Sequence, residues 1–190
     1  MPADLAQTIA TTLPAAIGPD LLARLRAVRL FLCDVDGILT DTAVTMGGPD
    51  EFKRFHIQDG LGLRLLQKNR IPVGWVSARP SHATALRAAD LKIDFLHQGD
   101  GSKVKAVEAI LQTSGLGWGD VCFMGDDVVD LGVLRRAGLA ATVANAIPEA
   151  KAVSHYVTTL PGGGGAVREV VDLILKAQGH WEGLIRHFLE

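Results

Sequence analysis

The sequence predicts an α/β fold: a Rossmann-like parallel sheet with helices on both faces and a small β-hairpin insertion. Two observations predict it. Short apolar runs alternate with amphipathic helical patterns along most of the chain. One segment, 42–56, breaks the rhythm: TAVTM, GGPD and EFKRF alternate apolar and polar residues around a turn, the pattern of a hairpin. The 190 residues suffice for one domain with a substantial core and leave little room for two. One domain over 1–190 is expected, with an N-terminal helical extension over 1–27 and the hairpin over 42–56.

Element by element, helices are expected at 5–11 and 19–27, then a buried strand at 28–33 that ends in LFLC. After the hairpin come a helix at 60–69, a strand at 72–77, a helix at 81–90, a strand at 93–96 and a helix at 103–114. Strands at 120–124, 139–144 and 155–158 follow, with helices at 129–137, 165–178 and 180–189. Gly162–Gly165 is the only low-complexity patch.

Hydrophobic content is 48%, charged content 21% and net charge −2, the balance of a globular protein. No basic run appears, so nucleic acid is not an expected partner. No apolar stretch reaches the ~18 residues that span a bilayer, and membrane association is not expected. The first twenty residues hold no Lys or Arg, so the charged start of a signal peptide is missing. Cys33 and Cys122 fall inside apolar strand segments and read as reduced, buried thiols, which points to a cytoplasmic location.

An open parallel sheet binds ligands beyond the carboxyl ends of its strands, so polar residues just after apolar runs matter most. Asp34 and Asp36 come first. Strand alternation lets both leave the sheet pointing the same way. Two acids about 5–7 Å apart repel unless a cation or a shared proton compensates. That suits a Mg²⁺-dependent phosphoryl-transfer site, with one Asp as nucleophile and the other as acid/base. Ser77, in VGWVSARP, could donate to a phosphate oxygen or simply cap the next helix. Lys103 opens a helix against its dipole, either to neutralise a phosphate beside the carboxylates or as a solvated lysine. Asp126, Asp127 and Asp130, in VCFMGDDVVD, crowd three acids at a strand end, a density that suits Mg²⁺. His97 and Gln98 follow another strand, and His56 and His97 are the histidines expected to reach the cleft; His82, His155, His180 and His187 read as surface or packing residues. Gly162–Gly165, ahead of a helix, either cradles an anion or forms a flexible loop.

These groups, in this order, resemble the haloacid-dehalogenase superfamily of phosphatases over about residues 28–178. DVDGILTD, FHIQDGLGLRLL, HQGDGSK, GDDVVD and PGGGGAVREVVDLIL are similar to its small capless branch, which includes 3-deoxy-D-manno-octulosonate 8-phosphate phosphatase. The resemblance implies that Asp34 is a nucleophile forming an aspartyl phosphate and that Asp36 is the acid/base. It implies a Mg²⁺ site of Asp34, Asp126 and the Asp36 carbonyl, with Asp127 close behind and Asp130 less important. It implies a phosphate clamp of Ser77 and Lys103, and a substrate pocket that draws on Asp59, Gly60, Arg64, Ala78, Arg79 and Arg168. Asp59-Gly60, just ahead of the expected helix, also reads as a cap and turn. Ala78 stands where relatives often have Gly; Gln58 and Gly164 stand where they often carry a cation.

No position leaves space for a cap domain, so water must be excluded some other way. The resemblance implies a homotetramer whose hairpins associate, which agrees with Val44, Met46 and Phe52 being apolar residues that a monomer would expose; in such a tetramer Arg64 or Arg168 is expected to make up the charge missing at Gln58 and Gly164. The function so implied is a Mg²⁺-dependent phosphomonoesterase acting on a sugar-acid phosphate in lipopolysaccharide biosynthesis. Phosphatases of nine-carbon keto-deoxy sugar-acid phosphates and non-catalytic assembly modules are the alternatives.

Overall fold

The computed structural model describes Leu13 and residues 17–47 and 50–190. The helix expected at 5–11 and the hairpin tip at 48–49 lie outside the described residues. Helix α1 (Pro19–Ala27) leads into β1 (Leu30–Cys33), and the hairpin is β2 (Thr45–Gly47) with β3 (Asp50–Phe52). Then come α2 (Ile57–Lys68), β4 (Val73–Ser77), α3 (His82–Asp90), β5 (Phe95–Gln98), α4 (Lys103–Ser114) and β6 (Val121–Met124). The chain closes with α5 (Leu131–Leu134), β7 (Leu139–Thr142), α6 (Pro148–Val153), β8 (Tyr156–Val157), α7 (Ala166–Ala177) and α8 (Trp181–Leu189).

Six strands form one parallel sheet in the order β5-β4-β1-β6-β7-β8, and β2 and β3 form a separate antiparallel pair. The chain winds outward from β1 through β4 to β5, then crosses back to β6 and winds out the other way. The winding therefore reverses between β1 and β6, where an open α/β sheet leaves a crevice beyond its carboxyl ends. Every residue of β1, β4, β6 and β7 is buried, which is why these strands read as unbroken apolar runs. Helices α1, α2 and α7 pack together on one side of the sheet; α4, α5 and α6 pack together on the other. Helix α7 turns Val167, Val170, Val171 and Ile174 inward at helical spacing. Among the described residues no helix is long and apolar enough to cross a membrane.

Beyond strand ends that move by up to two residues, as with β5 at 95–98 rather than 93–96, three elements differ from expectation. Helix α2 starts at Ile57 rather than 60. The helix expected at 129–137 is a 3₁₀ turn, Val128–Asp130, followed by the four-residue α5. Helix α6 was not anticipated: six residues are too few to show a period, although Pro148 in its first turn is a start signal.

Candidate active site

The ladder of β1 continues one residue past the strand, with Asp34 N donating to Met124 O of β6 at 2.9 Å. The chain then coils tightly: Leu39 N and Thr40 N both donate to Val35 O, at 2.9 and 3.2 Å. Gly37 makes this possible. Its φ is +97°, and a Cβ there would lie 2.1 Å from Asp126 Oδ2. Only glycine lets the loop after β1 close onto the loop after β6.

Asp34, Asp126 and Asp130 each bring a carboxylate oxygen to within 4.8 Å of the others, all three buried. Lys103 is 5% exposed, so it is no solvated lysine. Its ammonium lies 2.8 Å from Asp34 Oδ1 and 2.7 Å from Asp130 Oδ1. The Asp130 carboxylate is fully committed: Oδ1 accepts from Lys103, and Oδ2 accepts from Asp126 N at 3.1 Å and Asp127 N at 3.3 Å. Asp130 is therefore the centre that shapes this loop, not the lesser acid expected of a residue one turn on. Asp127 is exposed and its carboxylate turns back to accept from Val128 N at 2.6 Å, away from the cluster.

The electrostatics follow from that crowding. Burial first, and then Asp130, push Asp34 up to about 6 despite Lys103. Burial, reinforced by Asp34 and Asp130, pushes Asp126 up to about 7. Burial alone would pull the Lys103 ammonium down, but Asp34 and Asp130 outweigh it and leave it above the usual lysine value. Asp126 Oδ1 is buried with no hydrogen-bond partner. An orphaned carboxylate oxygen beside a second carboxylate, with only oxygen donors to offer, fits a hard divalent cation such as Mg²⁺.

A second cluster lies on the β4 side of β1. Ser77 ends β4, 2% exposed, and its hydroxyl spans Ala78, donating to Arg79 O at 3.0 Å and accepting from Arg79 N at 3.2 Å. The Arg79 guanidinium pairs with Glu51 and sits 3.6 Å from Asp36 Oδ2. Asp36 Oδ1 is held by Lys53 at 2.7 Å. Lys53 and Glu51 were missed in the sequence. The alternation in EFKRF was their signal, since it puts residues 51 and 53 on one face.

Other expected site residues lie elsewhere. Asp59 sits within the first turn of α2, not at its cap, and is 1% exposed. Its Oδ1 accepts from Arg168 N at 2.7 Å, so it caps α7 across the core rather than α2. Gly60 packs α2 against α3, where a Cβ would lie 2.5 Å from the Arg87 guanidinium. Arg64 is exposed and bonds to Gln67 Oε1 and Leu91 O, toward the amino ends of the strands. Arg168 runs back along α7 to Asp172 at 2.6 Å, 5.7 Å from the Trp181 ring. Neither arginine reaches the crevice of its own chain, and both have partners that account for them. His97 lines a groove with Asp94 and Lys105 along edge strand β5, while Gln98 Oε1 accepts from Ser81 N at 2.9 Å. His56 Nδ1 lies 3.8 Å from Asp59 Oδ2, beneath the glycine run. His155 has a structural role, its Nδ1 accepting from Ala140 N at 2.9 Å.

The glycine run is neither an anion cradle nor a slack loop. A Cβ at Gly162 would lie 1.7 Å from Gly37 O, and one at Gly163 would meet Asp41 N at 2.6 Å. Gly163 N donates to Ile38 O at 3.0 Å, and Gly162 N to Asn145 Oδ1 at 2.9 Å. The run is a backbone-to-backbone brace on the loop that carries Asp34 and Asp36.

A family model for haloacid dehalogenase-like hydrolases matches residues 66–169. The 3-deoxy-D-manno-octulosonate 8-phosphate phosphatase of Yersinia pestis is 39% identical over 168 residues, 88% of this chain and 90% of that protein. Its crystal structure superposes with a TM-score of 0.86, covering 88% of this chain and 91% of that one. The Moraxella catarrhalis enzyme of the same name, solved in complex with magnesium ion, phosphate ion and a KDO molecule, is 38% identical with a TM-score of 0.85, over 88% of this chain and 97% of that one. By this similarity over nearly its whole length, the chain belongs to the haloacid dehalogenase-like hydrolases, in the capless branch of 3-deoxy-D-manno-octulosonate 8-phosphate phosphatases, and is a phosphoric monoester hydrolase.

Proposed function

We propose that the protein is a Mg²⁺-dependent phosphatase of a sugar-acid phosphate, with 3-deoxy-D-manno-octulosonate 8-phosphate as its substrate, working through a phosphoryl group carried on Asp34. The observation that carries the reading is Asp34 itself: a buried carboxylate at the β1–β6 crevice, held at one oxygen by Lys103 and clustered with Asp126, whose Oδ1 has no hydrogen-bond partner.

Asp34, Asp126 and the Asp36 carbonyl would hold the cation, which supplies charge neutralisation between the carboxylates and a phosphate dianion. Lys103 and the Ser77 hydroxyl grip phosphate oxygens and orient the ester. Asp34 attacks phosphorus, and the bond to the sugar oxygen breaks as Asp36 delivers its proton there. Asp36, now a carboxylate, takes a proton from water. The resulting hydroxide displaces Asp34 from phosphorus, which releases inorganic phosphate and restores both aspartates. Phosphate release from a panel of sugar phosphates, with Mg²⁺ and after chelation, tests this. The eight-carbon sugar-acid phosphate should be the preferred substrate and chelation should abolish turnover; a preference for a nine-carbon analogue, or turnover without a divalent cation, breaks the reading.

Assembly as a homotetramer through the hairpin belongs to the same proposal. Met46 is 79% and Phe52 66% exposed, with Val44 beside them, more apolar surface than a hairpin leaves in water without reason. Light scattering should find a tetramer at micromolar concentration; a fully active monomer breaks that part.

A further inference from the structure

Asp36 has a guardian from outside the parallel sheet. Lys53 follows β3 directly, and strand alternation sends Glu51 and Lys53 inward while Phe52 faces out. The Lys53 side chain is 0% exposed, an enclosure that a lysine tolerates only with full compensation. It has that compensation. Its ammonium reaches Asp36 Oδ1 at 2.7 Å and Thr84 Oγ1 at 3.1 Å, while Glu51 Oε1 stands 3.5 Å off as an ion pair without a hydrogen bond. Thr84 is itself fixed, its N–H donating to Ser81 Oγ at 3.3 Å in the first turn of α3. Among the described residues, the other cation on Asp36 is the Arg79 guanidinium, at the looser 3.6 Å from Oδ2.

From this we infer that Lys53 is a positioning residue for Asp36: it pins one carboxylate oxygen so that the other is presented for proton transfer to the leaving sugar oxygen. The inference rests on the phosphatase reading above. Lys53 does not bind substrate, because its side chain is fully enclosed and its ammonium is turned to Asp36 and Thr84. The hairpin thereby becomes part of the catalytic apparatus, coupling its own docking to the rotamer of the acid/base.

The test separates this from a merely structural lysine. A sugar alkoxide needs a proton to leave, whereas p-nitrophenolate leaves without one. Rapid-quench measurement of the first step should show Lys53→Met slowing the sugar phosphate about 10²-fold, with KM little changed. The same variant should slow p-nitrophenyl phosphate by less than about tenfold. Lys53→Arg should recover part of the loss, and in an Asp36→Asn background Lys53→Met should be silent. Lys53→Met combined with Glu51→Gln, which leaves no lone buried carboxylate, should repeat the pattern if the single variant folds poorly. Equal losses on both substrates, or additive losses with Asp36→Asn, overturn the assignment while leaving the phosphatase reading standing. A wild-type protein that releases phosphate from neither compound overturns both.

Discussion

The site has two acidic clusters one residue apart in sequence, and they are built in opposite ways. The Asp34–Lys103–Asp126–Asp130 cluster lies on the carboxyl edge of the central strands, buried, with every part supplied by the parallel sheet and its loops. The Asp36–Lys53–Glu51–Arg79 cluster is closed by the hairpin, and Asp36 and Arg79 remain 28% and 44% exposed at their side chains. Burial makes the charges of the first cluster matter to one another: they shift the protonation of Asp34, Asp126 and Lys103. Solvent weakens that coupling in the second. On the proposed mechanism, the chemistry of phosphorus falls to the buried cluster, and the handling of the leaving group to the cluster that the hairpin closes.

The widest test of that division is Asp34→Asn. Turnover should fall at least about 10⁴-fold, because no other group can carry the phosphoryl, while thermal unfolding stays unchanged or improves as a crowded charge disappears. Residual turnover near wild type would break the comparison at its root.

Next is Asp130→Ala, which should cost on the order of 3 kcal/mol in denaturant unfolding. It strips Lys103 of one partner and leaves Asp126 N and Asp127 N without an acceptor. A cost no larger than that of Asp127→Ala would show that the inner cluster is not a coupled unit.

A smaller effect is expected with pH. Asp34 and Asp126 titrate at about 6 and about 7 in the cation-free protein, against about 3.9 in an unfolded chain. Between those values the folded state holds more protons than the unfolded one, so stability falls as pH rises from about 4 through about 7. A divalent cation relieves the same repulsion. Mg²⁺ should therefore raise Tm more at pH 8 than at pH 5, by a few degrees; scanning calorimetry giving equal shifts at the two values would contradict the crowding.

In the outer cluster, Arg79→Ala should raise KM about fivefold, the worth of a half-exposed ion pair, with little change in Tm. The smallest effect belongs to Arg64→Ala, an exposed residue bonded away from the crevice. Its stability should stay within about 0.5 kcal/mol and its KM unchanged. A selective rise in KM for acidic sugar phosphates would restore Arg64 to the site.

What the sequence revealed follows the same line. The central strands were legible because burial on both faces writes continuous apolar runs, and the aspartates were legible because they stand immediately after those runs. Asp130 was underrated because its role depends on three-dimensional hydrogen bonds to residues 103, 126 and 127. Lys53 was missed because a charge in a hairpin ordinarily faces water. Asp59 is drawn toward the site by resemblance and Arg168 by its expected reach to a neighbouring subunit; within this chain Asp59 caps α7 and Arg168 pairs with Asp172.

The glycine brace has a consequence for how the enzyme comes into being. The loop bearing Asp34 and Asp36 is synthesised early, but Gly162 and Gly163, which hold it by backbone contact, emerge only after all six strands of the main sheet. A growing chain carries both carboxylates for most of its synthesis before the brace that closes their loop exists. Competence arrives as one late event, when the final turn before α7 docks, and a chain cut short of that turn has its acids and its sheet but no finished loop.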